Sequence, residues 1–159
     1  GFANYLETSH KPRYCFGYGL SYGEFVYSDM KISKPEVKPD ELITVSCQVT
    51  NVSNADATEI VQCYISDRFA SRTRPVKELV GFVRVLIPVG EQRAVTFFIE
   101  PSQTAFLDKD MRWKIEKGQF DVMLGKSSDE ICFSKTVQVT EDAWIDGKRR
   151  AFYARTEVR

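Results

Sequence analysis

The sequence has few of the residues that most often perform catalysis or hold metal ions. It contains a single histidine, His10, and no cysteine pair at the CxxC spacing typical of zinc sites. It has no P-loop and no glycine-rich nucleotide motif that opens a helix, and one histidine in a polar segment supports no Ser-His-Asp arrangement. We therefore expect no catalytic residue, no metal site and no cofactor within this chain.

The chain also lacks an excess of charge of either sign and lacks long apolar runs. Its 22 basic and 22 acidic residues give a formal net charge of zero, so nothing favours nucleic acid or an anionic membrane as a partner. No apolar run approaches the roughly 20 residues of a membrane-spanning helix. With 159 residues, 43% of them hydrophobic, the composition indicates one globular domain with tails.

Short segments with alternating apolar and polar residues dominate the sequence. Residues 42–50 are the clearest case, because Ile43, Val45, Cys47 and Val49 alternate with polar residues, as in a half-buried strand. Turn residues recur every 8–12 positions or so, and no segment has a helical period. The pattern predicts an all-β, immunoglobulin-like antiparallel sandwich of about seven to nine strands, with strands in 25–32, 42–50, 60–66, 79–87, 93–100, 106–115, 120–124 and 131–139.

Two further segments flank this strand pattern. Residues 1–15 have no sustained period and are interpreted as an interdomain linker, while the sandwich is assigned to residues 16–140. Residues 16–25 combine aromatics with three glycines, which favours a tight aromatic connection into the first strand. The charged segment 141–159 carries Trp144, Phe152 and Tyr153, and is interpreted as a C-terminal tail or the start of a connection to another domain.

Several local patterns allow more than one interpretation. Cys47 and Cys63 lie in strand-like runs and are either an inter-sheet disulfide or buried free thiols; the absence of a tryptophan between them favours free thiols. The triplet 51–53 fits the N-glycosylation pattern, which is common by chance. Asp108 and Asp110 are expected to form a turn rather than a catalytic pair or a cation site.

Five sequence blocks, in order, resemble the C-terminal domain of family 3 glycoside hydrolases, the β-glucosidase and β-xylosidase enzymes. The first block, FGYGLSY, is similar to the run that precedes that domain. The blocks are FGYGLSY (16–22), VTN with VQCYISD (49–51 and 61–67), TRPVKEL with GF (73–79 and 81–82), PVGE (88–91) and GQFDVMLG (118–125). Cys15 and Cys63 stand where the family commonly has proline and leucine.

The resemblance implies a fibronectin type III-like sandwich that is itself non-catalytic. In that family a barrel domain supplies the catalytic nucleophile and an α/β domain often supplies the acid, so these two domains are the expected partners. We expect residues 16–22 and the basic loop, residues 68–77, to contact them, because aromatic and arginine side chains favour interfaces. The expected contact residues are Phe16, Tyr18, Tyr22, Arg68, Arg72, Arg74 and Lys77.

The sequence is also compatible with two alternative functions and with more than one cellular compartment. An accessory sugar-binding module would use Trp113, Phe69 and the arginines, although Trp113, Tyr64 and Phe82 are expected in the core. An oligomerisation module would use the basic loop or the tail. Four cysteines without an evident pairing favour the cytoplasm over a secreted or periplasmic location.

Overall fold

A computed structural model describes residues 12–67 and 75–159, which form twelve β-strands and two short 3-10 turns. No helix among these residues is long and apolar enough to cross a membrane. In chain order the strands are β1 (Phe25–Ile32), β2 (Glu36–Val37), β3 (Ile43–Asn51), β4 (Ala57–Ser66), β5 (Glu78–Ile87), β6 (Gln92–Ile99), β7 (Phe106–Leu107), β8 (Trp113–Ile115), β9 (Gly118–Gly125), β10 (Ile131–Val139), β11 (Ala143–Ile145) and β12 (Arg155–Val158).

The strands form two main sheets that pack face to face, which confirms the predicted all-β sandwich. One sheet has the order β1-β3-β6-β12 and the other has the order β2-β10-β9-β4-β5. A third, small sheet has the order β11-β8-β7. Neighbouring strands run antiparallel, except for the two-residue parallel pairing of β2 with β10. Most strands match their predicted segments within a few residues, and β10 has the predicted bounds.

The core follows from the alternation seen in the sequence. On β3 the side chains of Ile43, Val45, Cys47 and Val49 point inward and are almost fully buried. The inward residues of β4 and β6 continue the same layer from the facing sheet and from the neighbouring strand. Burial of this apolar surface is the main favourable contribution to folding.

The first strand is interrupted where the sequence breaks its apolar pattern. The register between β1 and β3 shifts between Ser28 and Lys31, and Asp29 has a φ of 53°. An aspartate tolerates this left-handed conformation better than most residues with a side chain. The bulge expected at Ser28 and Asp29 is therefore confirmed, and it bends an edge strand, which protects the sheet from pairing with another chain.

The prediction that Phe82 lies in the core is wrong. Phe82 is 55% exposed because it alternates along β5 with Gly81, Val85 and Ile87, which point inward. An added Cβ on Gly81 would lie 3.1 Å from the ring of Phe97. Tyr64, by contrast, is 1% exposed, as expected.

The segment 141–159, treated above as a tail, contributes two strands. β11 pairs with β8, and β12 adds to the edge of β6, where Arg155 lies opposite Phe98. The backbone N–H of Ala154 donates to the carbonyl oxygen of Val80 at 2.6 Å, which joins this segment to β5 in the other sheet. The folded sandwich therefore extends beyond residue 140.

Arg150 fixes the segment between β11 and β12. Its guanidinium carbon lies 4.8 Å from the ring centroid of Trp113 and 4.7 Å from that of Phe152. Its Nε donates to the carbonyl oxygen of Ala105 at 3.2 Å, and its Nη2 lies 3.6 Å from a carboxylate oxygen of Glu78. A cation between two aromatic rings combines electrostatic attraction with the burial of apolar surface.

Candidate functional site

The lead-in, defined here as residues 12–24, is attached to the sandwich mainly through its backbone. The side-chain Nε2 of Gln62 donates to the carbonyl oxygen of Gly17 at 2.9 Å and to that of Lys126 at 2.5 Å. The hydroxyl of Tyr64 donates to Oε1 of Gln62 at 2.5 Å. Because Gln62 and Tyr64 are buried, their hydrogen bonds fix the position of the lead-in over β4.

Gly17 permits this close approach. Its φ is +77°, in the left-handed region that favours glycine, as the sequence suggested for this stretch. An added Cβ would lie 2.1 Å from Oε1 of Gln62 and 2.6 Å from the hydroxyl oxygen of Tyr64. Any larger residue here would therefore have to move the two side chains that hold the lead-in.

A second attachment uses the loop between β9 and β10. The backbone N–H of Ser128 donates to the carbonyl oxygen of Phe16 at 2.9 Å. The ammonium of Lys77 in turn donates to the carbonyl oxygen of Ser128. The structure thus connects Phe16 and Lys77, two of the predicted contact residues, through one loop residue.

The large side chains of the lead-in point away from the sandwich. Phe16 is 67% exposed, Tyr18 50%, Leu20 90% and Tyr22 fully exposed. Three of the seven predicted contact residues are therefore open to solvent on one segment. Arg68, Arg72 and Arg74 lie outside the described residues, as does Phe69.

The outer face of β4 and β5 continues this apolar surface. Ile60, Phe82 and Leu86 are 46–63% exposed, and the pairing of the two strands puts all three on the same side as Gln62. A groove of about 600 Å³ separates the lead-in from these strands and is lined by Tyr18, Leu20, Tyr22, Ile60 and Leu86 among others. We call the lead-in together with this face the lead-in surface.

A buried carboxyl group lies next to the groove. Glu59, which is 5% exposed, accepts a hydrogen bond from the hydroxyl of Tyr27 at 3.1 Å. Burial raises the pKa of Glu59, and the hydrogen bond from Tyr27 and the nearby charge of Lys126 only partly oppose this effect. Burial and the carboxylate of Glu59 also raise the pKa of Tyr27 well above its usual range.

A different exposed aromatic, Trp144, lies at the hairpin formed by β7 and β8. Its indole Nε1 donates to Oδ2 of Asp108 at 2.8 Å. The other oxygen of Asp108 accepts from the backbone N–H groups of Asp110 and Arg112 at 2.9 and 3.0 Å. These bonds, that of the Arg112 N–H first, lower the pKa of Asp108 to about 2, which is the turn-forming role that the sequence indicated.

Trp113, named above as a candidate sugar contact, is not an open platform. It is half-buried and packs on the core, with the guanidinium of Arg150 over its ring. An added Cβ on Gly147 would lie 2.5 Å from its indole nitrogen. The chain's other tryptophan, Trp144, is 52% exposed, and no period or motif in the sequence distinguishes the two.

The glycosylation pattern at Asn51 falls on a buried side chain. Asn51 is 0% exposed, and its Nδ2 donates to the carbonyl oxygens of Ala55 and Ile87 at 2.9 and 2.8 Å. Its Oδ1 accepts from the backbone N–H and the hydroxyl of Ser53. The asparagine therefore closes the turn between β3 and β4 from inside.

The cysteines are free thiols in the structure. Cys47 and Cys63 are buried, and burial raises the pKa of Cys47 to about 12 and that of Cys63 further. Neither thiol is therefore a reactive nucleophile at neutral pH. Within the described residues, no cluster of three or more His, Cys, Asp or Glu side chains is placed to hold a metal ion.

These features describe a β-sandwich module whose described residues bring together no catalytic set. A family model for the fibronectin type III-like domain matches residues 59–128. The sequence is 37% identical over 146 residues to the thermostable β-glucosidase B of Acetivibrio thermocellus, covering 91% of this chain and 19% of that protein. It is 44% identical over 124 residues to a putative β-xylosidase of Formosa agariphila, covering 78% of this chain and 16% of that protein.

A solved structure agrees with these relatives. The crystal structure of a β-glucosidase from Listeria innocua in complex with isofagomine superposes with a TM-score of 0.80 at 33% identity, covering 87% of this chain and 19% of that one. This chain belongs to the fibronectin type III-like domains of family 3 glycoside hydrolases. It spans less than a fifth of the length of these relatives, in which such a domain is one part of a larger enzyme.

Proposed function

We propose that this module packs against the catalytic domains of a family 3 glycoside hydrolase and stabilises them through the lead-in surface. The observation that carries the proposal is the contrast within residues 16–22. Their backbone is fixed by Gln62 and Ser128, while Phe16, Tyr18 and Tyr22 extend into solvent. A fixed backbone with exposed aromatics is preorganised for docking, because little conformational freedom remains to be lost on contact.

The size and position of the surface support the same proposal. Large contiguous apolar patches on a soluble domain usually mark an interaction site. Here the lead-in, Ile60, Phe82 and Leu86 present exposed apolar side chains beside the groove, with Arg84 among them, and the lead-in is also where a preceding domain would connect. Lys77 contributes indirectly, since it holds the loop that binds the backbone of Phe16.

The alternative of an oligomerisation module has less support. It depended on the basic loop, part of which lies outside the described residues, and on the tail. The tail instead pairs with β6 and β8 of its own chain. For the compartment, we propose the cytoplasm because the thiols are free; a periplasmic β-glucosidase of Salmonella typhimurium, 36% identical, supports the alternative, and fractionation of cells that produce the protein decides between them.

A domain exchange tests the docking proposal. The matching region of the A. thermocellus β-glucosidase B is replaced by this chain, and thermal inactivation of the chimera is compared with that of a Tyr18→Ser/Tyr22→Ser variant. We expect the double variant to lower the half-inactivation temperature by several degrees. It should leave the unfolding of the isolated 159-residue chain nearly unchanged, because both rings are already exposed.

Tyr153→Ser is the matched control, since Tyr153 is 73% exposed and lies outside the lead-in surface. Equal inactivation of the chimera and its double variant would contradict the docking proposal. A separate assay of the isolated chain on nitrophenyl glycosides should detect no turnover.

A further inference from the structure

The side chain of Trp144 is both exposed and held in one orientation. Its indole N–H is bound to Asp108, and Asp108 is itself fixed by two backbone N–H groups of its turn. The guanidinium carbon of Arg112 and the Nζ of Lys114 lie 5.4 and 5.6 Å from the centroid of its ring, and 52% of the Trp144 surface is open to solvent. A large exposed aromatic ring held in this way loses little conformational entropy when a ligand stacks on it.

Trp144 borders a concave site with polar groups around it. The pocket has a volume of about 310 Å³, and its rim carries Lys109, Asp110, Arg112 and Lys114. This is close to the lower end of the roughly 300–1,000 Å³ range of small-molecule pockets, which combine aromatic walls with a few polar groups. The site lies at the β7–β8 hairpin and does not include the lead-in surface.

The charges around the pocket favour a neutral ligand. Arg112 lies 3.5 Å from the carboxylates of both Asp108 and Asp110. Lys114 lies 2.7 Å from Asp142 and 3.5 Å from Glu116. Because Arg112 and Lys114 already have carboxylate partners, most of the charge on the rim is compensated, and the site offers both donors and acceptors to hydroxyl groups.

A pyranose ring fits this combination. One face of a β-linked glucose or xylose unit is a flat array of C–H groups, and its edge carries hydroxyls that both donate and accept hydrogen bonds. We propose that Trp144 is the stacking platform of a carbohydrate-binding subsite for neutral β-linked gluco- or xylo-oligosaccharides, with Asp110 and Arg112 as hydroxyl partners. The choice of sugar rests on the family relationship, whereas the position of the site is independent of the docking surface.

A titration with cellotetraose and xylotetraose tests the proposal on the 159-residue chain. A change in intrinsic fluorescence on adding ligand reports mainly on Trp144, because Trp113, the chain's other tryptophan, packs against the core outside the pocket. We expect a saturable fluorescence change and a heat of binding, with a dissociation constant of about 1 mM, typical of a small contact of this kind. Acrylamide quenching of the exposed indole should decrease in the bound state.

Variants at and outside the site locate the binding. We expect Trp144→Ala to weaken binding at least tenfold and Asp110→Ala to weaken it by a factor of a few. Trp144→Phe retains an aromatic face and should bind with intermediate strength, which separates stacking from a loss of local structure. Tyr153→Ala, on an exposed aromatic outside the pocket, should bind as tightly as the unmodified chain.

Absence of both heat and fluorescence change at 10 mM of either sugar would overturn the proposal. So would full binding by Trp144→Ala with native circular dichroism. Neither result affects the domain-exchange experiment, which uses Tyr18 and Tyr22.

Discussion

The two ends of this chain carry exposed aromatics but are held in different ways. At the N-terminal end the lead-in adds no strand, and buried polar side chains, Gln62 above all, bind its backbone. At the C-terminal end the last segment adds β12 to a main sheet, and its own side chain Arg150 inserts between two rings. The C-terminal segment is therefore part of the folded sandwich. The lead-in instead lies on the surface of the sandwich, with its aromatic side chains exposed.

This difference separates two properties that exposed aromatics can indicate. Phe152 is exposed, but one face of its ring stacks on Arg150, so part of its role is internal. Tyr22 is fully exposed, and its side chain is free to contact another domain. Exposure alone does not distinguish a residue that can contact another domain from one that stabilises its own domain. The contacts made by the residue and by the neighbouring backbone distinguish them.

The largest loss of stability is expected when the contacts of Arg150, which hold the C-terminal segment, are removed. Arg150→Ala removes two ring contacts and one charged hydrogen bond, which together predict a loss of about 2–4 kcal/mol in the free energy of unfolding. Urea denaturation measures it. Arg149→Ala, on an exposed neighbour, is the control and should change stability little. If the two variants have the same free energy of unfolding, the inference that Arg150 holds the C-terminal segment is wrong.

A smaller and more local effect is expected at the other end. Gly17→Ala forces a Cβ against Gln62 and Tyr64 at a left-handed position and predicts a cost of about 1–2 kcal/mol. Because the lead-in is peripheral, we expect it to detach while the sandwich stays folded. Hydrogen exchange of the Ser128 amide, which donates to Phe16, should accelerate.

Gly19→Ala is the matched control for this second prediction. An added Cβ at Gly19 meets no atom within 4 Å, so exchange at Ser128 should be unaffected. Slow exchange in both variants would show that Gly17 does not control the attachment.

The smallest expected effect is on how stability depends on pH. Its sign at Glu59, near the lead-in, is opposite to its sign at Asp108, near β11. The raised pKa of Glu59, near the lead-in, means that its contribution to stability is present below the ordinary value of 4.5 and is lost as the pH rises through the folded-state pKa. The lowered pKa of Asp108, near β11, means that its contribution is present above 3.8 and is lost as the pH falls through about 2.

Denaturation of variants across pH 2–8 measures these contributions separately. Glu59→Gln should flatten the decline in stability above pH 4.5, and Asp108→Asn should flatten the decline below pH 4. A Glu59→Gln variant with an unchanged pH profile would show that the Glu59 carboxyl titrates normally.

The features of the fold that the sequence predicted are those determined by residues close together in the chain. The alternation of residues 42–50 specifies one buried face, and the polar pair Ser28 and Asp29 interrupts an apolar run where the bulge occurs. The left-handed glycine at position 17 was likewise suggested by its aromatic, glycine-rich context.

The parts that sequence missed depend on contacts between distant residues. β12 pairs with β6 about sixty positions earlier, and its short, charged sequence has no apolar alternation. The register shift between β4 and β5 beside Gly81 is likewise a property of the pairing between two strands. Gln62 is one polar residue in a strand, and only the folded chain shows that it binds Gly17 and Lys126.

The buried amide of Asn51 has a consequence for how the chain could be modified. Its nitrogen donates one hydrogen to Ala55 in the turn that joins β3 to β4 and the other to Ile87 at the end of β5, and a glycan would replace one of them and require space where there is none. Folding and glycosylation therefore compete for one atom. A chain that has closed this turn is protected from the modification, and a chain modified first would lose the turn that starts β4.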